Sequence, residues 1–68
     1  MNRLITISDD DVENVGEKLE PHERLALGDA IDSLSRGDHD EAAICETFRD
    51  EPRVVDAFRE CLRRAQTR

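Results

Sequence analysis

The chain has no tryptophan and no tyrosine, and Phe48 and Phe58 are its only aromatic residues. Aromatic side chains contribute the largest single blocks of core area. Any core here must therefore rest on leucine, isoleucine and valine gathered round two rings. Cysteine is scarce as well, with Cys45 and Cys61 alone. The N-terminus, Met-Asn-Arg-Leu-Ile-Thr-Ile-Ser, lacks the apolar run of a secretory leader. We accordingly expect a cytoplasmic protein in which both thiols stay reduced. No apolar stretch approaches the roughly 20 residues of a membrane-spanning helix. There is no Gly-rich phosphate loop and no nucleophile elbow. Lysine occurs once, at Lys18, although arginine is common.

Sixty-eight residues make one small domain, residues 1–68. Chains of this size bury a modest share of their surface, and most need a disulfide, a metal or a partner chain as reinforcement. With no disulfide expected, the reading that follows is self-association as a homodimer.

The apolar pattern is helical. Ser8 is a preferred N-cap, and Asp9, Asp10 and Asp11 occupy a first turn where the helix dipole favours anions. Val12, Val15 and Leu19 then mark one stripe, so a helix is expected over about 9–19. Glu20-Pro21 breaks and restarts the chain, because proline suits the first helical position. A second helix over about 21–35 follows, with Leu27, Ile31 and Leu34 inward and Leu25, Gly28 and Ala30 widening that face. Gly37 sits where a helix stops. Asp38 and Glu41 have the spacing of a capping box, which starts a third helix over about 39–50 carrying Ala42, Ile44, Cys45 and Phe48. Glu51-Pro52 repeats the restart signal. The fourth helix, about 52–65, is the most periodic: Val54, Val55, Phe58, Cys61, Leu62, Ala65.

One segment is β-like. Residues 3–7 alternate weakly through Leu4, Ile5, Thr6 and Ile7. A lone strand leaves its backbone groups unpaired, so Leu4, Ile5, Thr6 and Ile7 are expected to pair with their copies across a two-fold axis. The expected fold class is all-α: four short helices in a compact bundle with a short N-terminal β-strand, completed by dimerisation.

Candidate chemistry is sparse. Asp38, His39, Asp40 and Glu41 offer four ligand types in a row, but consecutive helical residues point in different directions and chelation needs convergence. His22, His39, Cys45 and Cys61 are too dispersed for a zinc site, and no twelve-residue calcium loop with its central glycine is present. We expect no metal and no cofactor. Both cysteines fall on apolar helix faces, where a thiol behaves as a small hydrophobe, and so we expect no enzyme. Arg36-Gly37-Asp38 matches an adhesion tripeptide, but Gly37 and Asp38 already serve as helix stop and helix cap.

Two families lend partial resemblances. "RGDHDEAA", residues 36–43, resembles the inter-helix turn of a tetratricopeptide repeat, which implies that Gly37 ends one helix and Ala42 is the small packing residue of the next. The positions beyond depart from that pattern, with Glu46 and Arg49 where small and aromatic residues belong. "RLITISDDDVENVGEKL", residues 3–19, is similar to the strand and first helix of ribbon-helix-helix proteins, which are obligate dimers whose strand reads DNA. Here the strand offers only Arg3 and Thr6 as polar readers and runs straight into three aspartates, and Glu20-Pro21 replaces the usual continuation.

Charge is the most informative feature. The net charge is −7. Residues 1–51 hold 15 acidic and 5 basic side chains, giving −10, and residues 52–68 hold 2 acidic and 5 basic, giving +3. An acidic body repels nucleic acid, whose binding requires phosphate neutralisation. Arg59, Arg63, Arg64 and Arg68 suit the negative end of a helix dipole. The expected function is a small acidic protein-binding module, a stoichiometric inhibitor or regulator of a host or cognate protein. By analogy of size and charge it is like phage-encoded inhibitors such as anti-CRISPR proteins, or like antitoxins. Asp9, Asp10, Asp11, Glu13 and Glu17 are the expected contact face for a partner with a basic surface. The alternative is a dimeric DNA-binding transcriptional regulator using Arg3 and the C-terminal arginines.

Overall fold

Four helices account for most of residues 7–66, the part described in the computed structural model of the chain: α1 (Asp9–Gly16), α2 (Pro21–Arg36), α3 (Glu41–Thr47) and α4 (Pro52–Gln66). α4 is the organising element. Its buried positions Val54, Ala57, Phe58, Cys61 and Leu62 recur at helical spacing and form one apolar stripe. That stripe packs on α2 and α1, while α3 packs on α2. Leu19, Leu27, Ala30 and Ile44 complete the buried cluster, with Ile7, Val12, Val15, Ile31, Leu34, Cys45 and Phe48 half-buried around it. Phe58, Leu27, Val54 and Cys61 are the largest side chains fully removed from water. The Cα envelope is only 16 Å across its thinnest dimension. A helix with its side chains is about 10–12 Å wide, so there is depth for one shared core layer.

The expected N-terminal strand and its dimer are not supported. No strand occurs among the described residues. Leu4, Ile5 and Thr6 lie outside them. Ile7 lies within, and packs half-buried against the helical core of its own chain instead of standing in a ladder. The buried cluster closes within one copy.

Helix ends follow local chemistry. Gly37 adopts φ 79°, the left-handed conformation that glycine enters without a Cβ clash, and the Asp38 and His39 N–H groups turn back to the Ser33 carbonyl at 3.0 and 3.5 Å. Gly16 has a different role: a Cβ there would stand 3.3 Å from Arg24 Cγ, so glycine lets the stem of Arg24 on α2 close against α1. α1 ends at Gly16 and not at Leu19. The next residues form a turn in which Leu19 N–H donates to the Gly16 carbonyl at 3.0 Å, dropping Leu19 into the core.

α3 begins later and ends earlier than the apolar pattern suggests. Asp40, not Asp38, is its cap, with Oδ1 accepting the Ala43 N–H at 2.8 Å. Asp38 instead pairs with Arg36 across Gly37 at 3.2 Å. Ala42 is consequently exposed; it stands two residues, about 200°, from buried Ile44, and cannot be the packing residue that the repeat resemblance implies. The same geometry turns Leu25 outward at 73% exposure, since Leu27 two positions on is the buried one. α3 stops at Thr47 because Pro52 opens α4 and the intervening residues turn, with Glu51 N–H on the Phe48 carbonyl at 2.8 Å.

A domain of this length has a total stability of about 3–10 kcal/mol. Truncating a buried phenylalanine costs about 3–5 kcal/mol. Phe58→Ala is therefore expected to abolish most of the cooperative thermal transition followed by circular dichroism, whereas Leu25→Ala leaves the midpoint within a few degrees.

Candidate functional site

The acidic face begins with a cap. Ser8 is extended, and its Oγ accepts the Asp10 N–H at 3.1 Å, which starts α1. Val12, Val15 and Gly16 face the core. The register therefore carries Asp9, Asp10, Glu13 and Glu17 to the solvent side, and all four are exposed. None of them forms an ion pair with another described residue. Asp11 is different. It lies four residues before Val15 on the inward side, with its side chain 14% exposed and Oδ1 4.0 Å from Arg64. The structure thus keeps four of the five expected contact residues on one outward face and sends Asp11 to α4.

Five arginines, Arg36, Arg49, Arg53, Arg63 and Arg64, are engaged within the fold. Glu60 receives both Arg63 and Arg64: Arg63 Nη2 donates at 2.5 Å to Oε1 and 2.6 Å to Oε2, and Arg64 Nε donates at 3.0 Å to Oε2. With Asp11 these residues form one line, Asp11–Arg64–Glu60–Arg63, tying α1 to the end of α4. Hydrogen bonding from Arg63, then from Arg64, holds the Glu60 carboxyl below its ordinary value of 4.5. The same bond to Glu60 raises Arg63 further. Elsewhere Arg49 pairs with Glu46 at 3.2 Å.

A second brace was missed by sequence reasoning. Glu23, 9% exposed, accepts the Glu20 N–H at 2.8 Å, which is one half of a capping box. Arg53 of α4 reaches across, 3.7 Å from Glu23 Oε1, and donates to the Lys18 carbonyl. The α1–α2 turn is thereby pinned to the start of α4. The local signal was present: an acidic residue three positions after Glu20, just past Pro21. Its partner, 30 positions later, is not readable from spacing.

The Cys61 thiol is unsuited to nucleophilic work. Burial, and next the charge of Asp11, push the Cys61 thiol above its ordinary range, so it stays protonated at neutral pH. No cluster of His, Cys, Asp and Glu among the described residues could hold a metal ion. Two surface depressions lie among the described residues of neighbouring helices. One of about 350 Å³ lies between α1 and α4, lined by Asn14, Val15, Glu17, Lys18, Glu60 and Arg64. The other, about 130 Å³, lies between α2 and α3. No described helix is long and apolar enough to cross a membrane.

No protein-family model matches the chain, and no curated protein and no solved structure matches it either.

The Glu60 cluster has a readable pH signature. A carboxylate whose folded value is depressed contributes stability that is fully present above its unfolded value and lost as pH falls through the folded one. Here that window lies below 4.5. Glu60→Gln is expected to lower the melting midpoint at pH 7, and the gap to wild type should narrow as pH is taken below 4.5. A gap independent of pH would contradict the assignment.

Proposed function

We propose that the chain is a non-enzymatic protein-binding module of the cytoplasm, a stoichiometric inhibitor or regulator that engages a host or cognate protein through a basic surface on that protein. The observation that carries this reading is the division of charge. Arg36, Arg49, Arg53, Arg63 and Arg64 are held by carboxylates of the fold, while Asp9, Asp10, Glu13 and Glu17 face water on one side of α1 without a cation. An unopposed anionic face on a short capped helix steers a basic partner into register and repels acidic ones. The small size and acidic balance are those of phage-encoded inhibitors such as anti-CRISPR proteins, and of antitoxins.

The DNA-binding alternative draws less support. Of its C-terminal arginines, Arg63 and Arg64 would first have to break their bonds to Glu60 and Asp11, whereas Arg59 is exposed and in no ion pair with another described residue. Dimerisation is a separable element of the proposal, distinguished by a solution mass of 7.8 kDa or of twice that value.

The test is charge reversal. In affinity capture from the source cell, wild-type chain is expected to retain a partner whose binding weakens steeply with salt. Asp9→Lys, Asp10→Lys and Glu13→Lys together are expected to reduce that affinity at least tenfold and flatten its salt dependence. Unchanged affinity in the triple variant would sink the proposal, and a partner displaced by competing duplex DNA would favour the alternative.

A further inference from the structure

The groove between α2 and α3 has a composition of its own. Ala30, Ile44 and Phe48 form an apolar floor, and Asp29, Ser33, His39 and Thr47 stand round it. Ala30 and Ile44 are buried core residues, so the floor is fixed by the packing of α2 on α3. The rim is chemically unfinished. The side chains of Asp29, Ser33 and His39 make no hydrogen bond or ion pair with another described residue. Thr47 Oγ1 donates to the Ala43 carbonyl at 2.9 Å, which leaves its oxygen free to accept.

Size decides the class of occupant. Sites for metabolites and drug-sized ligands run to about 300–1,000 Å³. At about 130 Å³ this groove is well below that range and suits one side chain. Chemistry decides which. Asp29, Ser33 and Thr47 present oxygen acceptors, and Phe48 presents an aromatic ring. That set matches a planar cation with several N–H donors on an apolar stem, because a guanidinium both forks onto a carboxylate and stacks on a ring. A carboxylate-bearing side chain would be repelled by Asp29, and a purely apolar one would leave it unanswered.

We propose that the α2–α3 groove receives an arginine side chain of the basic partner, with the guanidinium on Asp29 and the stem against Ile44 and Phe48. This rests on the reading of the chain as a binder of a basic protein, and it adds a specific anchor to the diffuse attraction of α1. The charged rim with a hydrophobic floor gives register, which a solvent-facing row of carboxylates cannot give alone.

The probe is a capped Gly-Arg-Gly peptide, with the citrulline peptide as its neutral isostere, titrated into the full-length chain at 150 mM salt and followed by amide NMR. Saturable shifts are expected at Ser33, His39, Ile44, Thr47 and Phe48 for the arginine peptide and not for citrulline. Asp29→Asn, an exposed position outside every ion pair of the fold, should raise the dissociation constant about tenfold while leaving the spectrum otherwise folded. Reversing Asp9, Asp10 and Glu13 should leave these groove shifts in place. Equal shifts from citrulline, no effect of Asp29→Asn, or shifts confined to α1 would each overturn the groove assignment. If wild-type chain still captured a partner through α1 in a salt-dependent way, the function proposed above would survive that result.

Discussion

The burial of one face of α4 is the constraint on which the rest of the molecule depends. In a chain with two phenylalanines and no larger aromatic, Phe58 is the largest side chain fully removed from water. α1 and α2 pack against that stripe, and α3 reaches the core through α2. The consequence is a single thin core layer. Such a layer holds four short helices together.

Surface charge is organised by the same packing. α4 carries Arg53 at its start and Arg63 and Arg64 at its end, and each is turned onto a carboxylate or carbonyl of the fold. Arg53 fastens the α1–α2 turn through Glu23 and Lys18, and Arg64 fastens α1 through Asp11. Each exposed pair is worth little by itself. Their arrangement matters more for what it withdraws: cationic groups are held close to the body of the protein, and the outward row of α1 is left anionic. Of the arginines in residues 52–68, Arg53, Arg63 and Arg64 meet Glu23, Glu60 and Asp11, while Arg59 is exposed and in no ion pair with another described residue.

Much of the helical architecture was legible, and the errors have a common physical origin. Val54, Phe58, Cys61 and Leu62 announced α4 because their period is unambiguous, and Gly37 announced the end of α2 because few other residues tolerate its backbone angle. Asp38 was expected to cap α3, but Asp40 does so and Asp38 pairs with Arg36. Ala42 is exposed because it stands two residues, about 200°, from buried Ile44. Leu25 was misplaced by hydrophobicity outweighing register, since it sits opposite Leu27. The β-like pattern of residues 3–7 was too short to decide anything, and Ile7, its one described member, joined the core instead. In the acidic row, Asp11 could have been separated from Asp9, Asp10, Glu13 and Glu17 by its alignment with Val15. The Glu23–Arg53 brace could not, because a contact between residues 30 apart leaves no trace in local spacing.

The central claim is that Arg53, Arg63 and Arg64 of the C-terminal helix are held by carboxylates of the fold while α1 projects an anionic face. Residue-by-residue relaxation enhancement by paired cationic and anionic nitroxide probes measures that field directly. The account predicts that the cationic probe is enriched over Asp9, Asp10, Glu13 and Glu17, and that the anionic probe gains no enrichment over Arg63 and Arg64. Marked accumulation of the anionic probe at the end of α4 would contradict it.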